Sequence, residues 1–210
     1  ILGDADIVEE ISRVASLSQL EGKPLVRTPG VARPIMSPMQ RRERDVRRRI
    51  ASLGFNECVT YSFIDQAAAG LFGGGADAVR LENPISTEMS HLRPNLLPGL
   101  LRAAQRNQAR GFTDLSLFEI GPGFPGGEPG EQVLLACGLR IGATAPRNPL
   151  GSRRPVDLWD ARRDAEAALA AIGAPTSLML RRDVPGWFHP GRSGLLSLGP
   201  KTELAVFGEL

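Results

Sequence analysis

The stretch LRPNLLPGLLRAAQRNQARGFTDLSLFEIG, residues 92–121, decides how the rest of the chain is read. Residues 92–111 read as a helix: Leu97, Leu100, Leu101 and Ala104 fall at i, i+3, i+4 and i+7 as one apolar stripe, while Arg102, Gln105, Arg106 and Arg110 lie away from it. Gly111 is the stop, since only glycine takes the left-handed backbone of a helix terminus without strain. The next run, LSLFEI, is apolar at both alternations and therefore reads as a strand buried on both faces at the centre of a sheet. Within it Glu119 shares a face with Leu115 and Leu117, which makes it either a buried acid paired to an arginine or a site residue.

Upstream, Ser37-Pro38-Met39-Gln40 supplies an N-cap, a first-turn proline and a third-position glutamine. It opens a helix with Met39, Val46, Ile50 and Leu53 on its apolar side, closed by Gly54. FNECVTYSFI, residues 55–64, alternates and reads as a strand; DQAAAGLF is a short helix, and AVRLEN, residues 78–83, a second strand. Downstream come a strand at QVLLACGLRIG, a helix at DARRDAEAALAAIG, a strand at SLMLRR, and GLLSLG with ELAVFG as a hairpin. Near the start, DADIVEEISRVASL forms a short amphipathic helix, followed by a proline- and glycine-rich stretch that breaks regular structure. This order is not a strict strand–helix alternation. It predicts an α+β fold with a largely antiparallel sheet flanked by helices, residues 23–35 being a linker between residues 1–22 and a core at 36–210.

Composition excludes several classes. With 42% hydrophobic and 23% charged residues among 210, the chain is neither disordered nor fibrous. No window reaches the roughly 18 apolar residues of a membrane helix, and no basic and apolar leader opens the chain, so a cytoplasmic protein without membrane contact is expected. The chain opens inside a helix start and stops on a strand, which reads as a piece of a longer polypeptide. Cys58 and Cys137 sit in separate apolar runs and read as buried thiols rather than a disulfide or metal clip. A net charge of +2 does not argue for nucleic acid, so local clustering has to carry that case.

Four clusters carry chemistry. GPGFPG, residues 121–126, matches the glycine pattern of a dinucleotide loop, but Pro122 and Pro125 remove backbone donors and no helix follows, so a turn or hairpin connection is expected. Arg33, Arg41, Arg42, Arg44, Arg47, Arg48 and Arg49 crowd one segment against Glu43 and Asp45. Such a face is either a solvated or subunit-facing side, or a contact for RNA phosphates; no interleaved aromatic side chain offers base stacking. His189 and Ser193 in WFHPGRSG lack a flanking acid and read as a rigid loop. Asp6, Glu9 and Glu10 stand at i, i+3 and i+4, which is either a solvated first turn complementing the helix dipole or a hard-cation site for Mg²⁺ or Ca²⁺.

Taken in order, DIVEEISRV, SPMQRRERDVRRRIASLGFNECVTYSFI, LENPISTEMSHLRPNLLPGLL through LFEIG, WFHPGRSGLLSLG and LAVFGEL resemble the beta subunit of bacterial phenylalanyl-tRNA synthetases over nearly the whole chain. The resemblance implies a class II synthetase-like antiparallel sheet with flanking helices, and it makes residues 1–22 the last helix of a preceding metal-binding domain. It implies that catalysis belongs to the alpha subunit. Where a catalytic copy would carry an ATP-phosphate arginine after LFEI, this sequence has Gly121-Pro122-Gly123-Phe124-Pro125. Two alpha and two beta subunits would join phenylalanine to tRNA with ATP, this region acting as structural core. Asp6, Glu9 and Glu10 match a magnesium-holding turn shared with the alpha subunit, whose fourth carboxylate would precede Ile1, so weak binding is expected. Arg41, Arg44, Arg47, Arg48 and Arg49 are then the candidate contacts to tRNA or to a subunit, with an RNA-binding module built on that helix as the alternative reading.

Overall fold

The computed structural model describes residues 3–26, 30 and 34–210; Arg33 lies outside the described residues. The chain divides into two compact units, Ile1–Ile35 and Met36–Leu210. The first contains helix α1 (Asp4–Ala15), whose Ile7, Val8, Ile11 and Val14 all remain exposed.

The second unit runs α2 (Pro38–Ser52), β1 (Asn56–Glu57), β2 (Phe63–Ile64), α3 (Gln66–Leu71), β3 (His91–Leu92), α4 (Leu97–Gln108), β4 (Leu115–Gly123), β5 (Val133–Ile141), α5 (Leu158–Ala171), β6 (Met179–Arg181), β7 (Ser193–Leu198) and β8 (Thr202–Gly208). β4 is the centre of a three-stranded sheet, parallel to β1 and antiparallel to β5. β6, β7 and β8 form a second, antiparallel sheet, and β2 pairs with β3. The fold is α+β, with helices against both faces of the β4 sheet.

Local chemistry sets these elements. Ser37 caps α2, its hydroxyl accepting from the Gln40 amide at 3.2 Å while the Gln40 side chain accepts from the Ser37 amide at 2.8 Å. The apolar side of α2 buries Val46 and Ile50 against Phe55 and Phe118, whose rings meet edge to face with centroids 6.5 Å apart. On the other face of β4, Leu100, Ala103 and Ala104 of α4 pack on Leu117. A third core joins Leu169 of α5 to Leu196 and Phe207 of the second sheet.

Three expectations change. Residues 55–64 are not one strand: β1 ends at Glu57, and the segment leaves the sheet so that Thr60 turns inward while Val59 and Tyr61 stay exposed. AVRLEN is not a strand; Asp77–Val79 is a single 3₁₀ turn, and Arg80 makes only an isolated bridge to His91. The helix beginning at Leu97 leaves residues 92–96 outside it, because Arg93 is drawn into the core and the Asn95 side chain accepts from the Leu97 amide at 3.0 Å. Pro98 then sits in the first turn, where its missing N–H costs nothing.

Candidate functional site

Arg93 follows β3, and its own amide donates to the Ser62 carbonyl at 2.8 Å, which fixes where its side chain starts. The guanidinium Nη1 donates to Glu119 Oε1 at 2.8 Å and to Thr60 Oγ at 2.9 Å, and Nε donates to the Pro122 carbonyl at 3.0 Å. Thr60 closes the triangle by donating to Glu119 Oε2 at 2.7 Å. Arg93 is 1% exposed and Glu119 3%, so both charges are withdrawn from water and satisfied by each other and by neutral donors and acceptors.

Glycines make this crossing possible. A Cβ on Gly99 would stand 2.1 Å from Thr60 Oγ, one on Gly121 2.9 Å from Arg93 Nη2, and one on Gly123 2.7 Å from the Pro94 carbonyl. None of the three needs a left-handed backbone; each is small because another group lies where its side chain would be. The glycine pattern after LFEI thus serves close packing, and Gly121, Pro122 and Gly123 continue β4 rather than starting a loop. Of the pattern expected as a turn, only the residues after Gly123 leave the strand.

Arg140 is a second tie. Its guanidinium carbon lies 4.0 Å from the centre of the Phe55 ring. It donates to Asp164 at 2.5 Å, to Ser116 Oγ at 2.9 Å and to the Leu53 carbonyl at 3.1 Å, joining β5, β4, α2 and α5. Asp160, buried in the first turn of α5, is held below the usual carboxylate range, first by the Arg154 guanidinium and also by the Asp157 amide. Cys58 and Cys137 pack at the edge of the α4 core, opposite each other across Glu119. Burial, with the Glu119 charge adding to it, pushes the Cys58 thiol up and the Cys137 thiol up to about 12, so neither is a nucleophile near neutral pH.

The residues singled out from sequence fall as follows. Glu119 is the buried, arginine-paired acid, although its partner Arg93 carried no local signal beyond its place between Leu92 and Pro94. His189 Nδ1 accepts from the amides of Gly191 and Arg192 at 3.0 and 3.1 Å, and Ser193 Oγ donates to the His189 carbonyl at 2.6 Å. That is a turn, not a nucleophile pair. On α2, Arg47 donates to Glu43 and Glu57, which raise its pKa, and Arg44 pairs with Asp45. Arg41, Arg48 and Arg49 are exposed and make no ion pair with another described residue.

Asp6, Glu9 and Glu10 lie in α1 as the spacing implies. Asp6 accepts from the Gly3 amide at 3.2 Å and Glu10 is bound by Arg13 at 2.6 Å. Among the described residues no three His, Cys, Asp or Glu side chains converge as a metal shell. No described helix is long and apolar enough to cross a membrane.

A central β-sheet clasped by helices on both faces is the architecture of a class II aminoacyl-tRNA synthetase core. Two solved structures of pyrrolysyl-tRNA synthetase from Desulfitobacterium hafniense superpose on 96% of this chain with TM-scores of 0.55 and 0.54, at 16% and 15% identity, and the chain covers 61% and 64% of theirs. The model of the phenylalanyl tRNA synthetase beta chain CLM domain matches residues 26–210, and the chain belongs to that family. It is similar to the phenylalanine–tRNA ligase beta subunits of Cereibacter sphaeroides and Ruegeria pomeroyi, 67% and 62% identical over 100% of the chain. It is 49% identical over 98% of its length to that of Rhodospirillum rubrum. The chain spans about a quarter, 26%, of the length of each of these relatives.

Proposed function

We propose that these residues form the structural, non-catalytic core of the beta subunit of a cytoplasmic phenylalanine–tRNA ligase. The observation that carries this reading is the Arg93–Glu119–Thr60 crossing beneath Gly121 and Gly123. After LFEI, where the resemblance leads one to expect an ATP-phosphate arginine, this chain has glycines that admit no side chain, packed beside a sealed ion pair. Electrostatic stabilisation of a transferring phosphate requires an exposed, preorganised cation at that place. Burying Arg93 against Glu119 spends its charge on holding β2–β3, α4 and β4 together instead.

On this reading ATP and phenylalanine are handled by a separate alpha subunit, in an assembly of two alpha and two beta subunits that also binds tRNA. Helix α1, with its apolar stripe exposed, belongs to the domain preceding the core. Arg41, Arg48 and Arg49, which make no ion pair with another described residue, face tRNA or a subunit. For Asp6, Glu9 and Glu10 to share a magnesium with the alpha subunit, Glu10 has to leave Arg13, and further ligands have to come from outside this chain.

The test is phenylalanine-dependent ATP–pyrophosphate exchange, measured for this chain alone and for the full-length beta subunit with its alpha subunit. Exchange is expected only in the assembled enzyme, together with co-purification of the two subunits. Adenylate formation by these 210 residues alone overturns the proposal.

A further inference from the structure

Helix α4 packs one side on the sheet and leaves the other exposed, and the exposed side carries charge of one sign. No acid occurs in residues 89–113, whereas Arg102 and Arg106 on α4 and Arg110 in the turn that closes it stand at i, i+4 and i+8. They form one row, at steps of about 6 Å along the helix axis. Like charges at this spacing repel and weaken a helix. Asp65 relieves the first by accepting from Arg102, but Arg106 and Arg110 are exposed and make no ion pair with another described residue. The helix dipole favours Arg106 in the last turn; it leaves both guanidinium groups without a partner anion.

A second strip of different chemistry lies beside the row. Gln105 and Gln108 stand one turn apart, both exposed, with side-chain amides that bond to no other described residue. They edge a groove of about 350 Å³ whose apolar lining includes Phe72, Pro98, Leu101 and Ile141.

We propose that this face of α4 is a contact for single-stranded RNA, the phosphates lying along Arg102, Arg106 and Arg110 and one base entering the groove beside Gln105 and Gln108. The step of the arginine row is close to that between successive phosphates of an extended strand, and a guanidinium fork matches phosphate oxygens in two-point hydrogen bonds. Glutamine amides both donate and accept, which suits base edges, and an apolar groove lined in part by an aromatic ring suits the flat face of a base. A protein partner fits less well. The centre of a protein interface is built on large apolar or aromatic anchors, and no outer residue of α4 supplies an exposed one. The inference rests on the reading of this chain as part of a tRNA-charging enzyme, and the RNA concerned is an unpaired stretch of that tRNA.

The test uses the assembled alpha–beta enzyme and a phenylalanine tRNA transcript. Arg106→Gln with Arg110→Gln is expected to weaken tRNA binding about tenfold and to flatten the slope of log affinity against log salt by about 1.4, since each phosphate of a single strand contributes roughly 0.7. Gln105→Leu with Gln108→Leu should weaken binding several-fold and leave the slope as it is. With the unaltered enzyme, tRNA carrying thiouridine should crosslink under near-ultraviolet light to a peptide within residues 97–111. Unchanged affinity and slope in the arginine variant overturn the proposal. So does loss of the alpha subunit from that variant on purification, because the face then holds a protein. Subunit co-purification and phenylalanine-dependent exchange by the unaltered enzyme test the underlying reading, so the two can fail separately.

Discussion

Replacing Arg93 by Met removes the guanidinium while keeping most of the apolar stem. Four donated hydrogen bonds are lost, one of them a long 3.4 Å contact to the Thr60 carbonyl, and the Glu119 carboxylate, 3% exposed, keeps only the Thr60 hydroxyl. Breaking a buried pair from one side costs about 3–5 kcal/mol, because the remaining charge is stranded in a poorly polarisable interior. At roughly 2–4 °C per kcal/mol for a chain of this size, the midpoint should fall by roughly 6–20 °C. Removing both charges at once is different: Arg93→Met with Glu119→Leu leaves no ion to solvate and should lie closer to wild type than Arg93→Met alone. Lysine at position 93 should rescue only in part, since one ammonium cannot reproduce a fork reaching Glu119, Thr60 and the Pro122 carbonyl. The assay is urea and thermal unfolding of the four corners of this double-mutant cycle. A cost below about 1 kcal/mol for Arg93→Met, with no coupling to Glu119, refutes the claim that this pair holds the crossing.

Gly99→Ala should destabilise by about 1–3 kcal/mol, because its methyl group displaces Thr60 and with it the Glu119 contact; thermal unfolding measures this, and a neutral effect counts against the close approach. Asp160 has its pKa lowered on folding by Arg154, so its contribution is present above its unfolded value near pH ~4 and is lost as pH falls through the lower folded value. Asp160→Asn should therefore be less stable than wild type at pH 7, with the gap closing in acid; a gap independent of pH argues that no ionised Asp160 is involved. With its thiol pushed up to about 12, Cys137 should react with iodoacetamide at pH 8 roughly a thousandfold more slowly than an ordinary thiol and at the ordinary rate in denaturant, read by mass spectrometry. Millimolar Mg²⁺ should leave the thermal midpoint of this chain unchanged, and a rise abolished by Glu9→Gln with Glu10→Gln would show that the acids bind cations unaided.

The legible parts of the sequence were those in which pattern and packing agree. The β4 run announced its central position because both of its alternations are apolar, and α2 announced its start because Ser37, Pro38 and Gln40 act within one turn. FNECVTYSFI misled because alternation reports burial on one face and not hydrogen-bond partners. Its middle residues are recruited by Arg93 and Glu119, which lie 33 and 59 positions away from Thr60. Such a long-range polar demand leaves no periodic trace.

The same reasoning explains why the candidate site could be half read. Glu119 was visible as an acid on a core face, which requires a counter-ion, but hydrophobic periodicity alone does not distinguish Arg93 from Arg102 or Arg106 as that counter-ion. What separates them is Pro94 and Asn95, which delay the helix until Leu97 and leave Arg93 on an extended backbone aimed inward. Arg102 lies five residues inside α4 on its outer side and pairs with Asp65 instead. Gly121 then had to be read twice. As a backbone signal it belonged to a pattern that Pro122 and Pro125 bar from cradling phosphate and so read as a turn; as an absent side chain it marks the room that Arg93 occupies. A glycine within a strand, beside a core acid and with no helix after it, is better read in the second way, because a cradle for phosphate needs converging N–H groups and Pro122 removes one of them.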